Sequence, residues 1–194
     1  APKIALAATA ELILQHWESD DPQAWRRFCE EYYRTVWRTD HNIVSAAFGL
    51  ARQLAERGDR AAAVATLDQV PATSRHHSVA NMTSILIMLH GRNLDDITEV
   101  ELREAAHRVD LLPTDERRAE QMRTLVLGTA LEWVRAGHAS RRSLDPILDV
   151  PFTEKGLRRG TEAGLRTLAR GAPARTHRYT LVDLANAIRP RSLL

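Results

Sequence analysis

Lysine is almost missing from this sequence: Lys3 and Lys155 are the only two among 27 basic residues. An arginine bias of that kind fits a GC-rich genome and needs no mechanism. Cysteine occurs once, at Cys29, which excludes a disulfide-stapled small domain and places the chain in a reducing compartment. Cys29 lies in the series Trp25, Phe28, Cys29, Tyr32, Val36, a helical stripe, so it reads as a small buried hydrophobe rather than a nucleophile. Aromatic residues make up only 5% of the chain, and alternating strand-like runs are missing, so an all-helical class is favoured. No apolar run approaches the roughly 18 residues of a membrane span, and there is no signal-peptide architecture. The expected setting is soluble and cytoplasmic. A start at Ala1-Pro2 without Met reads as an excised fragment.

What is present is a succession of amphipathic helices, with 44% apolar residues to bury. The stretch 42–75 shows the unit. Val44, Ala47, Phe48, Ala51 and Leu54 recur on one helical face, Gly58 ends that helix, and Asp59 is placed to cap a second one. The second helix buries Ala63, Val64, Leu67 and Val70 until Pro71 removes an amide donor. Neither helix can shelter its stripe alone, so such a hairpin stacks on copies of itself. Leu50-Ala51, Leu54, Gly58, Ala63 and Leu67 follow the tetratricopeptide spacing, in which small residues let two helices approach closely. The repeat is degenerate: Ala47 stands at the Trp position and Pro71 comes early.

The remaining chain reads the same way. A first helix over about 2–17 has Ile4, Leu6, Ala10, Ile13 and Leu14 as its apolar residues. Asp21-Pro22 starts a second, to about 37. A fifth helix, about 76–90, carries Val79, Met82, Ile85 and Leu89. Thr98 and Glu101 form a capping box for a sixth, to about 112, with Leu102, Ala105, Ala106 and Val109 inward. A seventh runs over about 115–136, from Thr114 or Asp115 through Ala119, Met122, Val126 and Trp133. First helices of successive pairs start near 2, 42, 76 and 115, a spacing of about 34 to 40 residues. A connector at 138–152 leads to capping helices over 153–194. There Gly156, Gly160 and Gly164 lie four apart, which predicts a backbone packed close against them. Arg158, Arg159, Glu162 and Arg166 interrupt that motif and exclude a membrane reading. The last helix carries Leu181, Leu184, Ala185 and Ile188 and is expected to cap the open end of the stack. The expected fold is all-α: a right-handed α-α superhelix of degenerate tetratricopeptide hairpins with C-terminal capping helices.

Several stretches resemble the C-terminal tetratricopeptide domain of protein kinase G, the soluble Ser/Thr kinase of mycobacteria and other actinobacteria. They are PKIALAATAEL, TVWRTD, SAAFGLARQLAERGDRAAAVATLDQVPATSRH, LVLGTALEW, GLRRGTEAGLRTLAR and HRYTLVDLANAIRP, in order and over most of 2–14 and 36–191. The segment Gln15 to Tyr33 is less similar. The resemblance implies a rubredoxin-like metal module and a kinase domain upstream. It also implies packing of the repeat domain on the kinase, dimer formation, and a forkhead-associated regulator of 2-oxoglutarate and glutamate metabolism as the parent's substrate. The chain itself has no glycine-rich loop followed by a strand lysine, no His-Arg-Asp run, no Asp-Phe-Gly and no Cys-x-x-Cys. It is therefore expected to be non-catalytic and to hold no cofactor and no metal. The alternative is a free-standing repeat adaptor without a kinase.

Other functions find little support in the residues. His76 and His77 are adjacent, about 100° apart on a helix, and cannot easily share a metal. From Arg135 onward there are 12 basic and 5 acidic residues, against 15 basic and 20 acidic before it, so one end is basic and the other acidic. The arginines Arg158, Arg159, Arg166, Arg170 and Arg178 have only Tyr179 near them, without the interleaved aromatics that stack bases. No nucleic acid is therefore expected, and a solvated face or an acidic protein partner fits better. The charge asymmetry also allows head-to-tail contact with a second copy or with the kinase domain. In a tetratricopeptide array the first helix of each hairpin lines the concave side, so Ser45, Arg52 and Glu56 are the candidate protein-interaction residues.

Overall fold

The structure is a computed structural model describing residues 2–16, 21–113, 118–140 and 145–190. Helices α1 (Pro2–His16), α2 (Pro22–Thr39), α3 (Val44–Glu56), α4 (Arg60–Asp68) and α5 (His77–Leu89) are followed by a single 3-10 turn, Leu94–Asp96. Then come α6 (Glu99–Asp110), α7 (Ala119–Arg135), α8 (Glu154–Gly171) and α9 (Arg175–Ile188). Among the described residues there is no strand, only a bridge between Ile147 and Val150. The fold is all-α. The chain divides into two compact units, Ala1–Ile87 and Met88–Leu194, and the boundary falls inside α5. Residues 138–152, α8 and α9 belong to the second unit.

In the first unit α1 packs on α2, α2 on α3, and α3 on α4. Asp21 caps α2 by accepting from the Ala24 amide at 2.9 Å, with Pro22 at the first helical position. Gly58 adopts φ 91°, where a side chain would be strained, and Asp59 caps α4 through the Ala62 amide at 3.1 Å. Helix α3 is buried on more than the expected stripe. Ala46, Leu50 and Gln53 join Val44, Ala47, Ala51 and Leu54, because α2 and α4 cover it from two sides. Gly49 lies against the Tyr33 ring: a Cβ there would stand 2.5 Å from Cε1.

The stripes of α1 and α2 also differ from the sequence reading. In α1, Leu6 is half exposed, and the face against α2 is made by Ala7, Ala10 and Glu11, since the close approach of α2 admits only small groups there. Leu14 lies outside the side chains described. In α2, Cys29 and Val36 are buried as expected, but Tyr33 and Trp37 complete the inner face while Trp25, Phe28 and Tyr32 are only partly covered. Trp37 donates its indole N–H to Gln69 Oε1 at 3.0 Å.

In the second unit α6 packs on α7, α7 on α8, and α8 on α9. The Thr98–Glu101 capping box forms in both directions, and Leu102, Ala105, Ala106 and Val109 are inward. Glu101 also takes the Arg92 guanidinium. Burial works against its charged form, but the Thr98 amide and Arg92 outweigh that and hold its pKa below the usual carboxylate range. Trp133 on α7 donates to the Ile97 carbonyl at 2.8 Å. The expected start of α7 at Thr114 or Asp115 lies outside the described residues. Between α7 and α8 the chain makes a tight turn with Leu148 and Asp149 both at positive φ, closed by paired amide bonds between Ile147 and Val150. Thr153 caps α8 through the Gly156 amide. The glycine row of α8 is crowded, but by backbone only at Gly156, where a Cβ would meet the Pro151 carbonyl at 2.3 Å; a Cβ on Gly160 would meet the Val150 side chain and one on Gly164 the Thr124 side chain. On α9 only Ala185 is fully buried. Leu181 and Ile188 are half covered and Leu184 is exposed, so its expected stripe is incompletely covered.

Candidate functional site

The most concentrated polar chemistry of the first unit is built on Glu11. Ala7 and Ala10 bring α1 close to α2 and carry the Glu11 carboxylate inside, at 8% exposure. A buried carboxylate is costly unless its oxygens are satisfied, and here each oxygen has two donors. The Tyr33 hydroxyl of α2 donates to Oε2 at 2.9 Å. Arg52 of α3 forks onto both oxygens, Nε to Oε1 at 3.2 Å and Nη2 to Oε2 at 2.6 Å. Its neighbour Gln53 donates to Oε1 at 2.7 Å. One carboxylate therefore ties three helices, and the paired Arg bonds fix orientation as well as charge.

The electrostatics follow from that arrangement. Burial and then the bond to Glu11 push the Tyr33 hydroxyl well above its ordinary range, so it stays a neutral donor. Cys29, fully buried with its Sγ 3.6 Å from the Ala7 carbonyl, is pushed up to about 11 by burial and by the Glu11 charge. That thiol is a packing group, without nucleophilic character. Burial lowers the Arg52 pKa and Glu11 raises it, and the net direction is up, so the guanidinium is a permanent cation.

Ser45, Arg52 and Glu56 lie at i, i+7 and i+11 of α3, within about 40° of one another around the axis. All three are exposed, while the rest of α3 is largely covered by α2 and α4. Arg52 differs from the other two in being anchored: its side chain is 48% exposed, with Nε and Nη2 held by Glu11. The face therefore offers one guanidinium, held in place and charge-balanced by Glu11, flanked by a hydroxyl and a carboxylate. Glu11, Tyr33 and Gln53 were not singled out from sequence. The available signal was a glutamate set between Ala7 and Ala10 on one side and Ile13 on the other, a charge within an apolar stripe.

The histidine pair is otherwise employed. The His77 ring contacts the Val70 carbonyl through Nδ1 at 3.1 Å and the Asn81 amide through Nε2 at 3.3 Å, while His76 takes a bond from Arg75. Among the described residues no three His, Cys, Asp or Glu side chains come together as a metal set. None of the described helices is long and apolar enough to cross a membrane.

The family model described as "Protein kinase G tetratricopeptide repeat" matches residues 1–192. The chain is 53% identical over 194 residues to the serine/threonine-protein kinase PknG of Mycobacterium leprae (strain TN), covering 100% of this chain and 24% of that protein. It is 51% identical over 192 residues to the protein of the same name from Mycolicibacterium smegmatis (strain ATCC 700084 / mc(2)155), covering 99% of this chain and 23% of that one. It thus spans about a quarter of the length of these relatives. Stacked helices, hairpin chemistry at Gly58-Asp59 and a match running almost end to end lead to one assignment: the chain belongs to the protein kinase G tetratricopeptide repeat family.

Proposed function

We propose that this chain is the non-catalytic regulatory and assembly module of a protein-kinase-G-like Ser/Thr kinase, acting through protein–protein contacts in the cytoplasm. The observation that carries the proposal is the extent of the match: the repeat model takes the whole chain, while that chain accounts for only 24% of the kinase from M. leprae. The kinase chemistry then belongs to the remaining part of the parent. In this reading the module contacts its own kinase domain and a second copy of itself, and the parent phosphorylates a forkhead-associated regulator of 2-oxoglutarate and glutamate metabolism. Arg52, flanked by Ser45 and Glu56, is the part of α3 offered to a protein partner, because a held guanidinium loses little freedom on pairing.

Reading the gene upstream of Ala1 tests the attachment to a kinase, and a reading frame without one leaves the adaptor alternative. Light scattering tests self-association: a dimer is expected at high micromolar concentration, and a monomer there removes the assembly role in the isolated module. Deleting the module from the parent is expected to impair assembly and to change phosphorylation of the regulator. Unchanged behaviour in both assays would reject the regulatory role.

A further inference from the structure

A cleft of about 1370 Å³ in the second unit is walled by the end of α7, the first two turns of α8 and the last turn of α9. Five cations line it against two carboxylates. Both carboxylates are already neutralised within α8: Glu154 by Arg158 at 2.8 Å and Glu162 by Arg166 at 3.0 Å. Arg135 is occupied by Glu132 at 2.8 Å. Arg158 also donates to the Ile188 carbonyl at 3.1 Å, covering the negative end of α9. What remains is Lys155, Arg159 and Arg189, all exposed and, among the described residues, without an ion pair. Beside them Ala187, Ile188 and Pro190 form an apolar strip.

Three unneutralised cations converging on one concave surface create a positive potential that the fold itself does not need. Such a surface suits an anion with more than one negative group. A nucleic acid fits poorly, because among the described residues no aromatic side chain lines the cleft for base stacking. An extended acidic peptide fits better: its carboxylates can pair with the three cations, and an apolar side chain has a strip to cover. We propose that this cleft is a docking site for an acidic segment of a protein partner, with Lys155, Arg159 and Arg189 pairing its carboxylates and the Ala187–Ile188–Pro190 strip receiving one apolar side chain. This docking site deepens the protein-contact role proposed above, and self-association is read by a separate measurement.

The probe is a short fluorescent peptide of glutamates around one leucine, titrated with the chain and followed by anisotropy at low and high salt. The unmodified chain is expected to bind it at low salt and to weaken as salt rises. The double variant Arg159→Gln/Arg189→Gln is expected to lose about tenfold or more in affinity. A control at the other end of α9, Arg175→Gln/Arg178→Gln, removes the same charge and is expected to stay within about twofold. A peptide with serine in place of leucine is expected to bind several-fold more weakly. No binding by the unmodified chain, or equal losses in the two double variants, overturns the proposal. So does a single-stranded oligonucleotide that binds more tightly than the peptide and is lost with Arg159 and Arg189. Light scattering of the cleft variant is expected to match the unmodified chain, which separates failure here from failure of the assembly role.

Discussion

Removing the Glu11 carboxylate strands three donors at once. In Glu11→Ala the Tyr33 hydroxyl and the Gln53 amide lose their partner inside the unit, while the Arg52 guanidinium, half exposed, can turn to water. The expected cost is about 2 to 3 kcal/mol, below that of breaking a fully buried pair because Arg52 can be rehydrated. Tyr33→Phe removes a single bond and should cost about 1 kcal/mol. Urea unfolding of the two variants checks both the values and their order. Cys29 supplies a pH test. Its folded pKa lies above the unfolded value, so the stability tied to the protonated thiol is full below 9.0 and is lost as the pH rises through about 11. A thiol reagent should accordingly leave the native chain nearly unlabelled near neutral pH and react promptly in denaturant. None of these partners was visible in sequence: Tyr33, Arg52 and Gln53 lie 22, 41 and 42 residues from Glu11. Pattern reading sees a glutamate on a helix and assigns it to water, because only the tertiary approach of α1 to α2 and α3 turns it inward.

At the level of the helix, features set by neighbours in sequence were legible. The Gly58-Asp59 turn and the Thr98–Glu101 box form as expected, because each needs only residues within one turn. The α8 glycine row was legible as crowding but not as to what crowds it. That distinction yields a paired prediction. Gly156→Ala forces a methyl group into the Pro151 backbone carbonyl, which cannot rotate away, and should cost about 2 kcal/mol despite the gain in helix propensity. Gly128→Ala, where the nearest atom is Thr161 Cγ2 at an ordinary 3.8 Å, should stabilise by up to about 1 kcal/mol. Thermal unfolding of the two variants should shift in opposite directions. Where α9 departs from expectation, the reason is neighbours: α8 covers one side of it, and Leu184 stays exposed.

Across the whole chain, two compact units imply that damage in one need not spread evenly. Stacked helical repeats couple mainly to their neighbours, so hydrogen exchange in Glu11→Ala should quicken in α1, α2 and α3 and change far less in α8 and α9. Uniform acceleration across all helices would show instead that the chain opens as a single cooperative block. Charge is unevenly shared as well: the basic excess after Arg135 gathers in α8 and α9, where the cleft draws on it.

The scarcity of lysine has a practical corollary. An amine-directed dye has two side chains to find, Lys3 and Lys155, and the second stands on the rim of the basic cleft. With Lys3 changed to arginine and the terminal amine blocked, a single acylation step would erase the Lys155 charge alone, and the hold of that hollow on a glutamate-rich peptide should slacken with its other residues untouched.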